Sequence, residues 1–157
     1  MKNLNNTIFS LGTTLFITLI LNSCSPCRNL DCLSSRYDFE FRILDANSGE
    51  DLVFGSNAIF KFGELSVFSL QGNQQQMYPL EAKTNSFFQG DTTLRVEVFP
   101  KTDRVFLRYP NGRIDTLLLT FREFDSECCG RITEITEIER NQLQKFTNLR
   151  EPMEFMY

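Results

Sequence analysis

Tyr37-Asp38-Phe39-Glu40-Phe41-Arg42-Ile43 is the stretch on which the fold turns. Its apolar residues occupy every second position, and its charged residues occupy the alternate ones. A period of two places Tyr37, Phe39, Phe41 and Ile43 on one face of a strand and Asp38, Glu40 and Arg42 on the other. Asp45-Ala-Asn-Ser-Gly49 follows as a turn, with Asn47 and Gly49 suited to positive φ. The same alternation returns in Thr93–Phe99, where Leu94, Val96 and Val98 oppose Arg95 and Glu97. Arg104–Tyr109 and Ile114–Arg122 flank Pro110-Asn111-Gly112, which reads as a hairpin. The run Leu117-Leu118-Leu119 implies a strand central in its sheet.

Weaker segments complete the pattern. Ala58–Phe62, Leu65–Leu70 and Gln76–Leu80 read as short strands, and Thr84–Gly90 reads as a loop. Ile132, Ile135 and Ile138 are spaced by three, but Thr133 and Thr136 and the flanking turns favour a strand over Arg131–Ile138. Seven or eight short strands separated by turn signals predict an all-β, antiparallel two-sheet β-sandwich of the immunoglobulin-like or transthyretin-like kind. A barrel is the main alternative. The sandwich is expected over residues 37–146. Residues 147–157 are set apart as a tail, because Pro152 argues against a helix there.

Composition restricts the chemistry. The 157 residues include 16 Phe, no Trp and no His. Phe serves mostly as core filling. Without histidine there is no Ser-His-Asp or Cys-His nucleophile system and no H-E-x-x-H zinc site. No glycine-rich phosphate or dinucleotide loop is present. Catalytic residues, metal ligands and cofactors are therefore not expected. Asp38 and Glu40 read as a solvated polar face rather than a carboxylate pair. Arg104, Arg108, Arg113 and Arg122 cluster around the hairpin, but Asp103, Asp115 and Glu123 are interleaved, so mixed surface charge is the reading. Phe87-Phe88, side by side in a polar loop, are the candidate ligand or partner contact; folding back over the core is the competing explanation.

Upstream, Ile8–Leu21 is an apolar run of 14 residues preceded by the single charge Lys2. A spanning helix needs about 20 such residues, so the run suits a signal-peptide core. Leu21-Asn22-Ser23-Cys24 at its end resembles a bacterial lipobox. The resemblance implies cleavage after residue 23, a thioether-linked diacylglycerol at Cys24, and anchoring to the lipid bilayer through that residue. Residues 1–23 are then a signal peptide and 24–36 a lipidated tether. Ser25, where inner-membrane lipoproteins often carry Asp, implies the outer membrane. The absence of an acidic run after Cys24 favours the periplasmic face over the cell surface.

The mature chain then has 134 residues, with 15 basic against 20 acidic side chains once Lys2 is gone. That suffices for one domain with a core, and the net negative charge disfavours nucleic acid and anionic lipid headgroups as partners. In an oxidising periplasm Cys27, Cys32, Cys128 and Cys129 read as two disulfides. A vicinal Cys128–Cys129 bond is disfavoured by the short Cα separation of neighbours. Each of the pair is then expected to bond Cys27 or Cys32, with Cys128-Cys129 in a turn. Redox catalysis and zinc binding fit these spacings poorly.

Two further stretches carry resemblances. Phe41-Arg-Ile-Leu-Asp45-Ala-Asn-Ser-Gly49-Glu-Asp-Leu52 resembles the opening strand and turn of carboxypeptidase-regulatory-like, transthyretin-type sandwich domains. Asp115–Arg122 followed by Cys128-Cys-Gly130 is similar to small lipoproteins of Bacteroidota without an assigned activity. The expectation is a non-catalytic envelope lipoprotein, an accessory or interaction module with an envelope protein partner. A binder of glycan or peptide and a thiol-active protein are the alternatives.

Overall fold

The computed structural model describes residues 35–84 and 92–157. Ten strands run in chain order: β1 Asp38–Leu44, β2 Ser66–Gln71, β3 Gln74–Tyr78, β4 Leu80–Thr84, β5 Thr92–Glu97, β6 Arg104–Arg108, β7 Ile114–Ser126, β8 Gly130–Arg140, β9 Gln144–Phe146 and β10 Met153–Met156. They form a four-stranded sheet, β10-β1-β5-β4, and a six-stranded sheet, β3-β2-β6-β7-β8-β9. The chain divides into two units: Ser34–Phe124 with Arg131–Tyr157 carries both sheets, and Asp125–Gly130 belongs to the other.

Alternation works as the sequence implies. Phe39, Phe41 and Ile43 of β1 are buried, as are Leu94 and Val96 of β5 and Val98 just beyond it. They join one core cluster with Val67, Val105, Leu107, Leu117, Leu119 and Ile138 of the opposite sheet. One cluster fed by the inner faces of two sheets is the defining feature of a sandwich. β7 is central in its sheet. Leu117 and Leu119 face the core, while Leu118 lies half-buried on the outer face. In β8 the inward side changes parity between Ile135 and Ile138, both buried. This accounts for a spacing of three in a strand.

Four expectations need correction. Residues 147–157 are not a tail: β10 pairs in parallel with β1, Phe41 opposite Met153 and Ile43 opposite Phe155, and Met153 and Phe155 are buried. Phe155 stacks on Phe41 at 4.7 Å, so apolar burial recruits the segment. The tether boundary at residue 36 also shifts. Arg36 bridges Glu134 in parallel, donating its N–H to the Thr133 carbonyl at 2.9 Å, before the chain enters β1 in the other sheet. Ala58–Phe62 is not a strand. It belongs to an irregular cover, ending in a short 3-10 turn at Phe62–Glu64, that lays Leu52, Val53, Phe60 and Leu65 onto the core. In the turn after β1, Gly49 alone takes positive φ (71°). The Asp45 carboxylate organises that turn by accepting from the Asn47 and Ser48 N–H groups at 2.9 and 2.7 Å, bonds that hold its pKa below the usual carboxylate value.

Candidate functional site

A groove of about 660 Å³ lies within the two-sheet unit. Five separate segments line it: Arg36 to Glu40, Lys83, Arg122, Glu134 to Thr136, and Thr147 to Pro152. Its floor is apolar at Phe39, Ile135 and Leu149, and its walls are charged. Asp38 and Glu40 point away from the core because Phe39 and Phe41 occupy the inward positions.

Most of the groove carboxylates are committed to cations. Asp38 Oδ2 accepts from Arg95 Nε at 3.0 Å, and that bond pushes the guanidinium pKa further up against the opposing effect of burial. Glu40 is held by Lys83 and accepts from the Thr93 hydroxyl at 3.1 Å. Glu134 pairs with Arg122 at 2.5 Å. Arg36, Arg150 and Glu151 are exposed, and no described residue forms an ion pair with them. The groove thus presents two cations and one carboxylate above walls already neutralised. Such a lining suits recognition of a zwitterionic or extended polar ligand.

A second cluster is deeply buried. Asp115 lies on the inward face of β7, and Arg140 on that of β8, with 1% and 2% of their surfaces exposed. Asp115 Oδ2 accepts from Arg140 Nε at 2.8 Å and Nη2 at 2.5 Å, and from the Tyr109 hydroxyl at 2.8 Å. Its Oδ1 accepts from Asn141 Nδ2 at 2.7 Å and Arg113 Nε at 3.3 Å. Arg140 Nη1 donates to Gln144 Oε1 and to the Met156 carbonyl, and its guanidinium lies 4.9 Å from the Phe155 ring centre. Burial is the largest influence on Asp115 and pushes its pKa up. The bonds from Asn141, Arg140 and Tyr109, with the Arg140 charge, outweigh it and leave the carboxyl below its ordinary value. Burial, aided by the Asp115 charge, pushes the Tyr109 phenol well above its ordinary value. Five donors saturate the carboxylate, so this cluster ties β7, β8 and β10 together and leaves no lone pair for a substrate. Asp115 is therefore not part of a mixed surface charge.

The other arginines of the hairpin separate. Arg104 and Arg108 stand on the outer face of the six-stranded sheet, while Arg113 lies 4.4 Å from the Tyr157 ring centre. Cys128 and Cys129 occupy the turn between β7 and β8, with Gly130 at φ 68° behind them. Cys24, Cys27, Cys32, Phe87 and Phe88 lie outside the described residues. The groove residues Arg36, Lys83, Arg150 and Glu151 carried no local signal, since tertiary contacts alone gather them. Asp115 did carry one: it shares parity with Leu117 and Leu119.

No family model, curated protein or solved structure matches this chain.

Proposed function

We propose that the chain is a lipid-anchored envelope sandwich, held to a bilayer through acylated Cys24, that acts as a non-catalytic interaction module. The groove carries this reading: Asp38, Glu40 and Glu134 are each paired with a cation, while Arg36, Arg150 and Glu151 stand at its rim for a partner. The lipobox-like Leu21-Asn22-Ser23-Cys24 supports the anchor, and the turn cysteines support disulfides to Cys27 and Cys32. Ser35 follows Cys24 by eleven residues, a length of chain that can reach at most about 40 Å at 3.3–3.6 Å per residue. The outer membrane, periplasmic face, is the proposed location.

Fractionation of cells making the full chain, with intact-mass analysis, tests the anchor. The expected species is membrane-bound, begins at Cys24 and carries acyl mass. An intact 157-residue chain in the soluble fraction overturns the anchor. A photo-crosslinking residue at Thr147 tests the groove. It is expected to give one discrete adduct in intact cells, lost in Arg36→Glu with Arg150→Glu. An adduct that ignores both charge reversals refutes the groove as the partner site.

A further inference from the structure

The outward face of β2, β3, β6 and the first half of β7 is apolar and cationic. The register aligns its residues in rows: Met77, Phe68, Phe106 and Thr116 in one, with Arg108 between Ser66 and Ile114 in the next. Leu70, Met77 and Ile114 are 52%, 48% and 47% exposed. The charges pointing outward from these strands, as far as Leu118 of β7, are Arg104 and Arg108, with no acid. Arg108 stacks 4.5 Å from the Phe68 ring centre, and the described residues form no ion pair with Arg104. Acids begin at the rim, on β8. There Glu137 is paired with Lys145 at 2.9 Å, and Glu139 lies opposite Lys145.

A shallow depression of about 380 Å³ on this face is lined by Arg104, Phe106, Thr116, Leu118, Asn141 and Gln142. The last two belong to the β8–β9 turn, where both take positive φ (53° and 58°). The next residue, Leu143, is 87% exposed. A turn that holds a leucine almost wholly in water, beside a face of half-exposed apolar groups and arginines, has the chemistry of an interfacial surface.

The whole chain is net negative, which disfavours anionic headgroups in general, but the charge of this face is positive. We propose that this face lies on the anionic bilayer that holds the protein, with Leu143, Leu70, Met77 and Ile114 entering the headgroup boundary and Arg104 and Arg108 meeting lipid phosphates. The proposal rests on the anchor at Cys24. The eleven-residue leash keeps the face at high effective concentration against the membrane, so weak contacts suffice to hold it down. The sandwich then has a fixed orientation relative to the lipid surface, and so does its groove.

Met77 and Met156 provide an internal comparison in the unaltered protein. They are 48% and 40% exposed, and they face outward from opposite sheets. Full-length acylated protein in vesicles of phosphatidylethanolamine and phosphatidylglycerol is treated with dilute peroxide, and sulfoxide is followed at each residue by peptide mass spectrometry. Met77 is expected to oxidise several-fold more slowly than Met156. Leu70→Glu with Leu143→Glu, both at exposed positions, is expected to bring the two rates together. Similar rates for Met77 and Met156 in the parent overturn the proposal. So does protection of Met77 that rises with protein density at fixed lipid, which assigns the face to a second copy of the chain. Intact mass of the same sample separates the two readings. An acylated Cys24 with Met77 unprotected removes the docking and keeps the anchor. An unacylated chain whose Met77 is protected by added vesicles removes the anchor and keeps the docking.

Discussion

Arg140→Met removes the guanidinium that neutralises Asp115 while keeping an unbranched side chain under Phe155. The substitution deletes both Arg140 bonds to Asp115 Oδ2 and those to Gln144 and the Met156 carbonyl. Breaking a buried ion pair from one side costs about 3–5 kcal/mol, because the surviving charge keeps its desolvation penalty. Tyr109, Asn141 and Arg113 still donate to Asp115, which places the loss near the lower end, about 3 kcal/mol. With a urea m-value of about 1.5 kcal/mol/M, the unfolding midpoint should fall by about 2 M. Acid titration supplies an independent arm. The folded Asp115 pKa lies below its ordinary value, whereas the unfolded one is about 3.9. Between the two values the unfolded chain binds a proton that the folded chain does not. The contribution is therefore complete above the unfolded value and is lost as pH falls through the folded one. Arg140→Met should flatten that acid slope as well as lower the midpoint. A variant within about 1 kcal/mol of the parent, with the acid slope unchanged, would refute the assignment of Asp115–Arg140 as the tie between β7, β8 and β10.

Raising pH acts through Tyr109, whose folded pKa is pushed up. Parent stability should begin to fall above about pH 10, where the unfolded phenol ionises and the folded one does not, and Tyr109→Phe should show a shallower decline in the same denaturant series. Phe155→Ala removes the ring stacked on Phe41 and packed against Phe146 at 5.6 Å. It should cost about 3–5 kcal/mol in equilibrium unfolding, and a loss below about 1 kcal/mol would show that β10 adds little to the core. A Cβ at Gly55 would lie 2.2 Å from the Asp51 carbonyl oxygen. Gly55→Ala must therefore displace backbone in the cover that carries Leu52 and Phe60, at about 1–3 kcal/mol, and an unchanged thermal midpoint would contradict the local geometry.

The strands most legible in the sequence were those whose partners matter least to recognising them. Tyr37–Ile43 and Thr93–Phe99 declare themselves by alternation, because every residue of a half-buried strand repeats one local rule of the pleat. Pro110-Asn111-Gly112 marked its hairpin, and Gly112 takes φ 84° there. Met153-Glu154-Phe155-Met156 also alternates, but four residues after a proline resemble any short tail. Its partner β1 lies more than a hundred residues away in the chain. The groove was illegible for the same reason: its charges come from five segments whose individual patterns describe only solvated faces.

Side-chain parity, a property of neighbouring residues, determined which residues turn inward along the regular strands, and the sequence carries that information there, though not across the parity change between Ile135 and Ile138. It placed Phe39, Leu94 and Leu117 in a core, and by the same parity it placed Asp115 there. What balances a buried carboxylate, which strand closes a sheet edge in parallel, and which charges share a groove depend on contacts between distant segments. Only the tertiary structure decided those, because pairing across long loops is selected by the apolar area and charge buried together, and no local stretch of chain encodes either quantity.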